Sequence, residues 1–178
     1  MMLDYFAIGF SGLLLCAAAQ DMWKLRISNF FPVAIVGLYF ARAMSIGFQT
    51  DMWQNLALFL FTLSAGIFLF AKKWLGGGDV KLFAAAALWF DFSAAPYLLF
   101  AITLGGALVA LVFIFVRRLL PSRFADRIGW AALKAKGPIP YGLAISAGAI
   151  LCSQVYAFNP APQPTAKEIL LESPFKQT

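Results

Sequence analysis

Residues 97–116 of this 178-residue chain read YLLFAITLGGALVALVFIFV, without one charged side chain. A bilayer core about 30 Å thick needs roughly 20 predominantly apolar residues in an α-helix, so this stretch predicts a transmembrane helix. The whole chain shares its character, with 62% hydrophobic residues, 12% charged residues and a mean hydropathy of +0.80. Soluble domains have about 25% charged residues. Lipid is therefore the expected solvent for most of the chain.

Six apolar runs, each bounded by charged or turn residues, follow one another along the chain. They cover residues 3–19, 30–48, 55–71, 80–90, 97–116 and 139–158. The predicted fold class is all-α, a polytopic integral membrane protein with about six transmembrane helices. The fourth run is short, because a helix rises only about 1.5 Å per residue. Its helix either continues past Asp91 or starts below the membrane surface.

Basic residues alternate between the links that join these runs. Most of the 14 Lys and Arg residues lie in the first-to-second, third-to-fourth and fifth-to-sixth links. They are Lys24, Arg26, Lys72, Lys73, Lys81, Arg117, Arg118, Arg123, Arg127, Lys134 and Lys136. By the positive-inside rule these links are cytoplasmic, which places both termini outside the cytoplasm. The positive charge is thus a topology signal, and we expect no nucleic-acid partner.

Residues 1–158 are predicted to form one six-helix membrane domain. Residues 159–178 contain alternating prolines and then charged residues, so we expect a flexible extra-cytoplasmic tail. Histidine is absent and the chain has only two cysteines. This composition excludes Ser-His-Asp hydrolases and four-cysteine metal sites, and we expect neither a metal nor another cofactor.

Asp21 and Asp79 stand apart from the other acidic residues by their position. Ionisable residues near a membrane are candidates for function, and only these two lie at cytoplasmic ends of the runs. Two carboxyl groups are the minimum for peptide hydrolysis without metal or histidine. The ionised one takes a proton from water, while the protonated one polarises the scissile carbonyl. A charged helix end at the lipid headgroups is the alternative interpretation of Asp21.

Three glycines, Gly76, Gly77 and Gly78, directly precede Asp79. Glycine lets the backbone approach another chain closely, so this segment can lie beside an extended substrate strand. A simple turn between two helices is the alternative interpretation.

Three motifs in order resemble those of the type IV prepilin peptidases, and in particular the short ones that serve Flp/Tad-type pili. Asp21 is followed by Arg26-Ile27-Ser28-Asn29, where the family pattern is Asp, five residues and Ile-Pro-Asn. Ser28 thus stands where proline is usual. The segment from Gly76 to Asp79 satisfies Gly-x-Gly-Asp, and Pro140-Tyr141-Gly142 opens the last run. The resemblance covers residues 3–158.

The resemblance implies a membrane-embedded aspartic endopeptidase of the bacterial inner membrane. It would cut the basic leader from a prepilin at the cytoplasmic face, with Asp21 and Asp79 as the catalytic dyad. Its partners would be the prepilin, the lipid bilayer and the pilus assembly or secretion machinery, and the oligomeric state is left open. Residues expected to bind substrate or support the site are Gly76, Gly77, Gly78, Asn29, Pro140, Tyr141 and Gly142.

Longer members of the family carry a cytoplasmic four-cysteine zinc segment and methylate the new N-terminus. This chain has no such cysteines, so we expect no N-methyltransferase activity.

Two other functions could use the same pair of carboxyl groups. An ion-coupled transporter binds cations with intramembrane carboxylates beside an interrupted helix, and a non-catalytic pilus-assembly subunit would keep the fold without the chemistry. Against a transporter, both acids lie at the cytoplasmic edge, and no matching broken helix is predicted in the second half.

Helix polarity predicts unequal roles within the dyad. Asp79 lies ahead of the fourth run, at a helix N-terminus, where an anion is favoured. Asp21 follows the first run, at a helix C-terminus, provided that this helix does not continue past it. The sequence therefore predicts that Asp79 is the ionised base and that Asp21 holds the one proton that the two carboxyl groups share.

Overall fold

A computed structural model describes residues 5–47, 52–119 and 139–158, and all regular structure in these ranges is α-helical. The helices are α1 (Tyr5–Lys24), α2 (Phe30–Ile46), α3 (Met52–Ala71), α4 (Gly77–Ala87), α5 (Ala95–Leu119) and α6 (Tyr141–Phe158). The all-α prediction is confirmed for these ranges. The predicted tail, residues 159–178, and most of the basic link before α6 lie outside the described residues.

Helices α1, α3 and α5 are long and apolar enough to cross a membrane. Helices α2 and α6 are shorter apolar helices, and α4, with 11 residues, cannot cross a bilayer core alone. Large apolar side chains point outward from α3 and α5, such as Phe61 at 72% exposed and Phe100 at 67%. Lipid accommodates such a surface and water does not. The chain is therefore a membrane protein; a total of six spans stays a prediction.

Helix α4 packs against three neighbours, α2, α3 and α6. Its last residues, Ala84 to Ala87, are small and buried, which lets neighbouring helices approach its backbone closely. Helix α6 packs in turn on α1 and α5. These contacts bring the first turn of α4 close to the end of α1 and the start of α6.

The two ends of α4 differ from what the hydropathy pattern suggests. The helix ends at Ala87 and does not continue past Asp91. The Oδ1 atom of Asp91 instead accepts hydrogen bonds from the Ala94 N–H at 2.8 Å and the Ser93 hydroxyl at 2.7 Å, as residues that cap a helix N-terminus do. At its other end α4 begins at Gly77. Asp79 therefore lies inside the first turn and not ahead of the helix.

A residue with positive φ follows each of the helices α1 and α3 within two positions. Leu25 has a φ of 52°, and Lys73 has a φ of 60°. The Leu25 N–H donates to the Asp21 carbonyl at 2.8 Å, and the Trp74 N–H donates to the Leu69 carbonyl at 3.0 Å. Such left-handed caps usually carry glycine, because a side chain there costs about 1–2 kcal/mol. Both turns lead directly to the site described next.

Candidate active site

A cavity of about 480 Å³ lies where the end of α1 meets the starts of α4 and α6. It is lined by Asp21, Leu25, Trp74, Leu75, Gly76, Asp79, Ile139 and Tyr141. Packing thus brings Asp21 of α1 and Asp79 of α4 to one cavity.

Asp21 lies in the last turn of α1, and only 5% of its surface is exposed. Its Oδ2 atom accepts a hydrogen bond of 2.8 Å from the backbone N–H of Gly142. Gly142 is the second residue of α6, where N–H groups have no partner within their own helix. The carboxylate of Asp21 therefore caps the positive end of α6, a position that stabilises negative charge.

Asp79 lies in the first turn of α4 and is partly buried. The backbone N–H of Gly76, just ahead of this helix, donates a hydrogen bond to its carboxylate, an arrangement typical of an acid at the third helical position. Burial and, to a smaller extent, the charge of Asp21 raise the pKa of Asp79 to about 6. An ordinary aspartate has a pKa of about 3.9, so Asp79 keeps its proton to a higher pH.

Each of the three glycines before Asp79 faces a different neighbour. A Cβ atom at Gly76 would lie 2.6 Å from the Oδ2 atom of Asp79. At Gly77 it would lie 3.2 Å from the Phe70 ring of α3, and at Gly78 it would lie 3.1 Å from the Cβ of Ile27. The glycines thus permit three separate close contacts, and only Gly76 lines the cavity.

Ile27 lies between the starts of α4 and α6 and contacts both. Its Cβ faces Gly78, and its Cδ1 would lie 2.7 Å from a Cβ at Gly142. That same Cβ would lie 2.8 Å from the Oδ2 of Asp21. The three sequence motifs therefore interlock around Ile27. Ile27 belongs to the first sequence motif, but nothing in the sequence indicates these contacts.

Asn29 lies outside the cavity and connects two elements of the site. Its Oδ1 accepts a hydrogen bond of 2.9 Å from the Nζ of Lys81. The bond joins the α1–α2 link to α4, two residues beyond Asp79. The charge pattern explains Lys81 only as a topology residue, and nothing in the sequence signals this bond.

Ser28 occupies the position where the family pattern has proline. Its backbone N–H donates a hydrogen bond of 2.6 Å to the Oε1 of Gln20, which a proline could not form. The Ser28 hydroxyl also accepts a hydrogen bond from the Phe30 N–H at 3.3 Å. The departure from the pattern is thus accommodated by local hydrogen bonds at the start of α2.

The third motif forms the start of α6. Tyr141 lines the cavity, and its ring packs on α5, where a Cβ at Gly106 would lie 2.9 Å from the ring carbon Cε2. Pro140 is buried ahead of the helix. Of the seven supporting residues that the sequence predicts, two line the cavity, Gly76 and Tyr141. The others, which lie outside its lining, are Gly77, Gly78, Asn29, Pro140 and Gly142.

The type IV leader peptidase family matches residues 8–114 of the chain, a range that includes both Asp21 and Asp79. The chain belongs to this family. The resemblance inferred from the motifs is confirmed, and the leader peptidase family implies a protease with a prepilin substrate. No curated protein and no solved structure matches the chain.

The family match ends before the third motif. The contribution of α6 to this leader peptidase therefore rests on the hydrogen bond from Gly142 to Asp21 and on the position of Tyr141 in the cavity. Among the residues that the structure describes, no three His, Cys, Asp or Glu side chains are grouped as metal ligands. The lining of the cavity includes two carboxyl groups, those of Asp21 and Asp79.

Proposed function

We propose that this leader peptidase is an aspartic endopeptidase of the bacterial inner membrane that removes the basic leader of a Flp-type prepilin at the cytoplasmic face. The observation that supports this most strongly is the shared cavity of Asp21 and Asp79. Peptide hydrolysis by two carboxyl groups requires both to reach one water molecule and one scissile carbonyl. A volume of about 480 Å³ leaves room for both.

In the proposed reaction the two aspartates have unequal roles. Asp21, ionised, takes a proton from the attacking water, while Asp79, protonated, donates a hydrogen bond to the scissile carbonyl oxygen. The water oxygen forms a bond to the carbonyl carbon. The tetrahedral intermediate then collapses, the C–N bond breaks, and the leaving amine takes the proton that Asp21 accepted.

Two observations support these roles, which reverse those expected from helix polarity along the sequence. Helix α1 continues beyond Asp21 to Lys24, so Asp21 does not lie at its very end. The carboxylate of Asp21 instead caps α6 through the Gly142 N–H. Helix polarity along the sequence concerns only the helix that carries each aspartate, so it does not include the effect of α6 on Asp21.

The proposal includes the topology that the basic links predict. The membrane domain, residues 1–158, has six spans with both termini outside the cytoplasm, and residues 159–178 form an extra-cytoplasmic tail. The prepilin and the pilus assembly or secretion machinery are the protein partners. We propose no cofactor and no N-methyltransferase activity, because the chain lacks the four cysteines of the longer family members.

Cleavage of a prepilin by the purified protein in detergent tests the proposal. The expected result is removal of the leader at one peptide bond, read by mass measurement of both products. An ion-coupled transporter would leave the prepilin intact but move a cation across the membrane of proteoliposomes. A non-catalytic assembly subunit would bind the prepilin and neither cleave it nor move an ion.

A further inference from the structure

Ser146 of α6 carries a buried hydroxyl group that the site described above does not use. Only 1% of the surface of this residue is exposed, and its Oγ atom has no hydrogen-bond partner among the residues that the structure describes. In the same helix the Ser153 hydroxyl donates to the Ile150 carbonyl at 2.8 Å. Buried polar side chains in proteins almost always have a partner. The hydroxyl of Ser146 is therefore available to a group outside its own helix.

Helical spacing places Ser146 on the face of α6 that packs on α1. Gly142, one turn earlier, lies on this face, because a Cβ there would be 2.8 Å from the Oδ2 of Asp21. Residues four apart lie on the same side of a helix. The face toward α5 is a different one, since a Cβ at Gly148 would lie 2.7 Å from the side chain of Ile102. Ser146 is two residues from Gly148, which turns it about 200° away from α5.

The side chains of Ser146 and Asp21 lean toward each other. The end of α1 meets the start of α6 at the cavity that Asp21 lines, and the two helices pack side by side, so they run antiparallel. Every Cα–Cβ bond in a helix tilts toward the N-terminus of that helix. Ser146 therefore leans toward the turn of Gly142, where the carboxylate of Asp21 lies. Asp21 in turn leans away from the end of α1, toward the level of Ser146.

Asp21 is the buried polar group that the neighbours of α6 offer to this hydroxyl. Helix α6 packs on α1, α4 and α5, and the structure describes every residue of these three helices. Their buried side chains are apolar with one exception, the carboxyl group of Asp21. Within these helices Asp21 is thus the buried side-chain acceptor for the Ser146 hydroxyl.

We propose that Ser146 is a positioning residue, whose hydroxyl donates a hydrogen bond to the carboxylate of Asp21, directly or through one water molecule. This inference rests on the proposed function, in which Asp21 is the base. A carboxylate has about four acceptor positions, and the Gly142 N–H occupies one of them. Two donors one turn apart on α6 would fix the plane of the carboxylate and direct a lone pair into the cavity. Such hydrogen bonds are often long in a free enzyme and tighten when substrate binds.

A hydroxyl that only fills space between α1 and α6 is the alternative interpretation. An unpaired buried hydroxyl destabilises a fold, so Ser146→Ala would then stabilise the protein and leave cleavage unchanged. Ser153→Ala is the matched control, because it makes the same change in the same helix at a hydroxyl that bonds to its own helix.

A double-mutant cycle tests the contact without reference to cleavage. The midpoint of thermal unfolding in detergent, at neutral pH, is measured for wild type, Ser146→Ala, Asp21→Ala and the double variant. We expect Ser146→Ala to lower the midpoint by about 2–4 °C in the wild-type background and not to lower it in protein that carries Asp21→Ala. An equal shift in both backgrounds, or a higher midpoint for Ser146→Ala alone, would overturn the inference.

The pH profile of kcat/KM for prepilin cleavage tests the effect on the base. The other titratable groups that line the cavity with Asp21 are Asp79 of α4 and Tyr141 of α6. Without the Ser146 hydroxyl the ionised base is less stable. The acid limb of the profile should therefore move to higher pH by about one unit in Ser146→Ala, and kcat/KM at the optimum should fall about ten-fold. The limb at higher pH, which belongs to the Asp79 proton under the proposed function, should stay in place.

Two further variants separate loss of the hydroxyl from damage to packing. Ser146→Thr keeps the hydroxyl, so its acid limb should stay at the wild-type pH whatever its rate. Ser153→Ala should leave both limbs and the rate unchanged. An acid limb that moves equally in Ser146→Thr and Ser146→Ala, or that moves in neither, would contradict the role of the hydroxyl.

The inference and the proposed function fail in distinguishable ways. A wild-type protein that does not cleave prepilin contradicts the proposed function, while the unfolding cycle still tests the bond between Ser146 and Asp21. A wild-type protein that cleaves prepilin, with a Ser146→Ala profile that matches those of wild type and Ser153→Ala, contradicts the inference alone.

Discussion

One added methyl group at Gly142 is expected to displace the carboxylate of Asp21. In Gly142→Ala the new Cβ would lie 2.8 Å from the Oδ2 of Asp21 and 2.7 Å from the Cδ1 of Ile27. Carbon atoms do not approach neighbours this closely, so the side chains must move. The hydrogen bond of 2.8 Å from the Gly142 N–H to Asp21 is then lost.

The size of the effect follows from that hydrogen bond. A hydrogen bond to a charged group contributes about 1.5–3 kcal/mol, and each 1.4 kcal/mol changes a rate or equilibrium about ten-fold. If the proposed base loses this contribution in the transition state, kcat/KM for prepilin cleavage falls by roughly 10- to 150-fold.

Initial rates of leader removal by the purified protein in detergent measure the effect. Gly37→Ala is the matched control, because a Cβ at this position of α2 meets nothing within 4 Å. Ile27→Val in the Gly142→Ala background removes the contact with Cδ1 but leaves that with Asp21, so it should recover little activity. A Gly142→Ala enzyme with wild-type kcat/KM would show that this N–H does not position Asp21. Full recovery by Ile27→Val would trace the loss to packing instead.

Three further predictions concern topology, the hydrogen bond between Lys81 and Asn29, and pH. A reporter that is active only in the cytoplasm should work when fused after Lys73 and fail when fused at Thr178, and the reverse pattern would contradict the proposed orientation. Lys81→Met removes the hydrogen bond to Asn29 and should lower kcat/KM about two- to ten-fold. Lys81→Arg can keep that bond, so its kcat/KM should stay near wild type. Equal loss in both variants would argue against a role for the bond. The pKa of Asp79 is raised to about 6, so this residue loses its proton as the pH rises through that value. The pH profile of kcat/KM reports the free enzyme, and we expect kcat/KM to fall above about pH 6. A profile that stays flat there would contradict the assignment of the proton to Asp79.

The apolar helices were predictable because hydropathy is a local property of the chain. The runs at 55–71 and 97–116 correspond to α3 (Met52–Ala71) and α5 (Ala95–Leu119). The start of α4 was not predictable in this way. Three glycines have low helix propensity, yet the helix begins at Gly77, where the Gly76 N–H bonds to Asp79 and neighbouring helices hold the glycines in place.

Position and motif single out Asp21 and Asp79, which line one cavity, but they do not predict the surroundings of the two carboxyl groups. The group that contacts Asp21 is a backbone N–H 121 residues away in the sequence, and only packing of α6 on α1 brings it there. The same holds for Ile27, whose two glycine partners lie on different helices. Tertiary contacts of this kind leave no periodic pattern in the sequence, so a prediction from helix polarity alone does not include them.

Prepilin cleavage by Asp21→Asn and Asp79→Asn tests the proposed dyad most directly, with Asp91→Asn as the control. Asparagine cannot take a proton from water, and its amide N–H is a far weaker acid than a protonated carboxyl group. Each of the first two variants should therefore lose about 10²- to 10⁴-fold in rate. Asp91→Asn should cleave at the wild-type rate, because asparagine can also cap the start of α5. If Asp21→Asn or Asp79→Asn, present in the membrane at the wild-type level, still cleaves prepilin at nearly the wild-type rate, these two residues are not the catalytic pair.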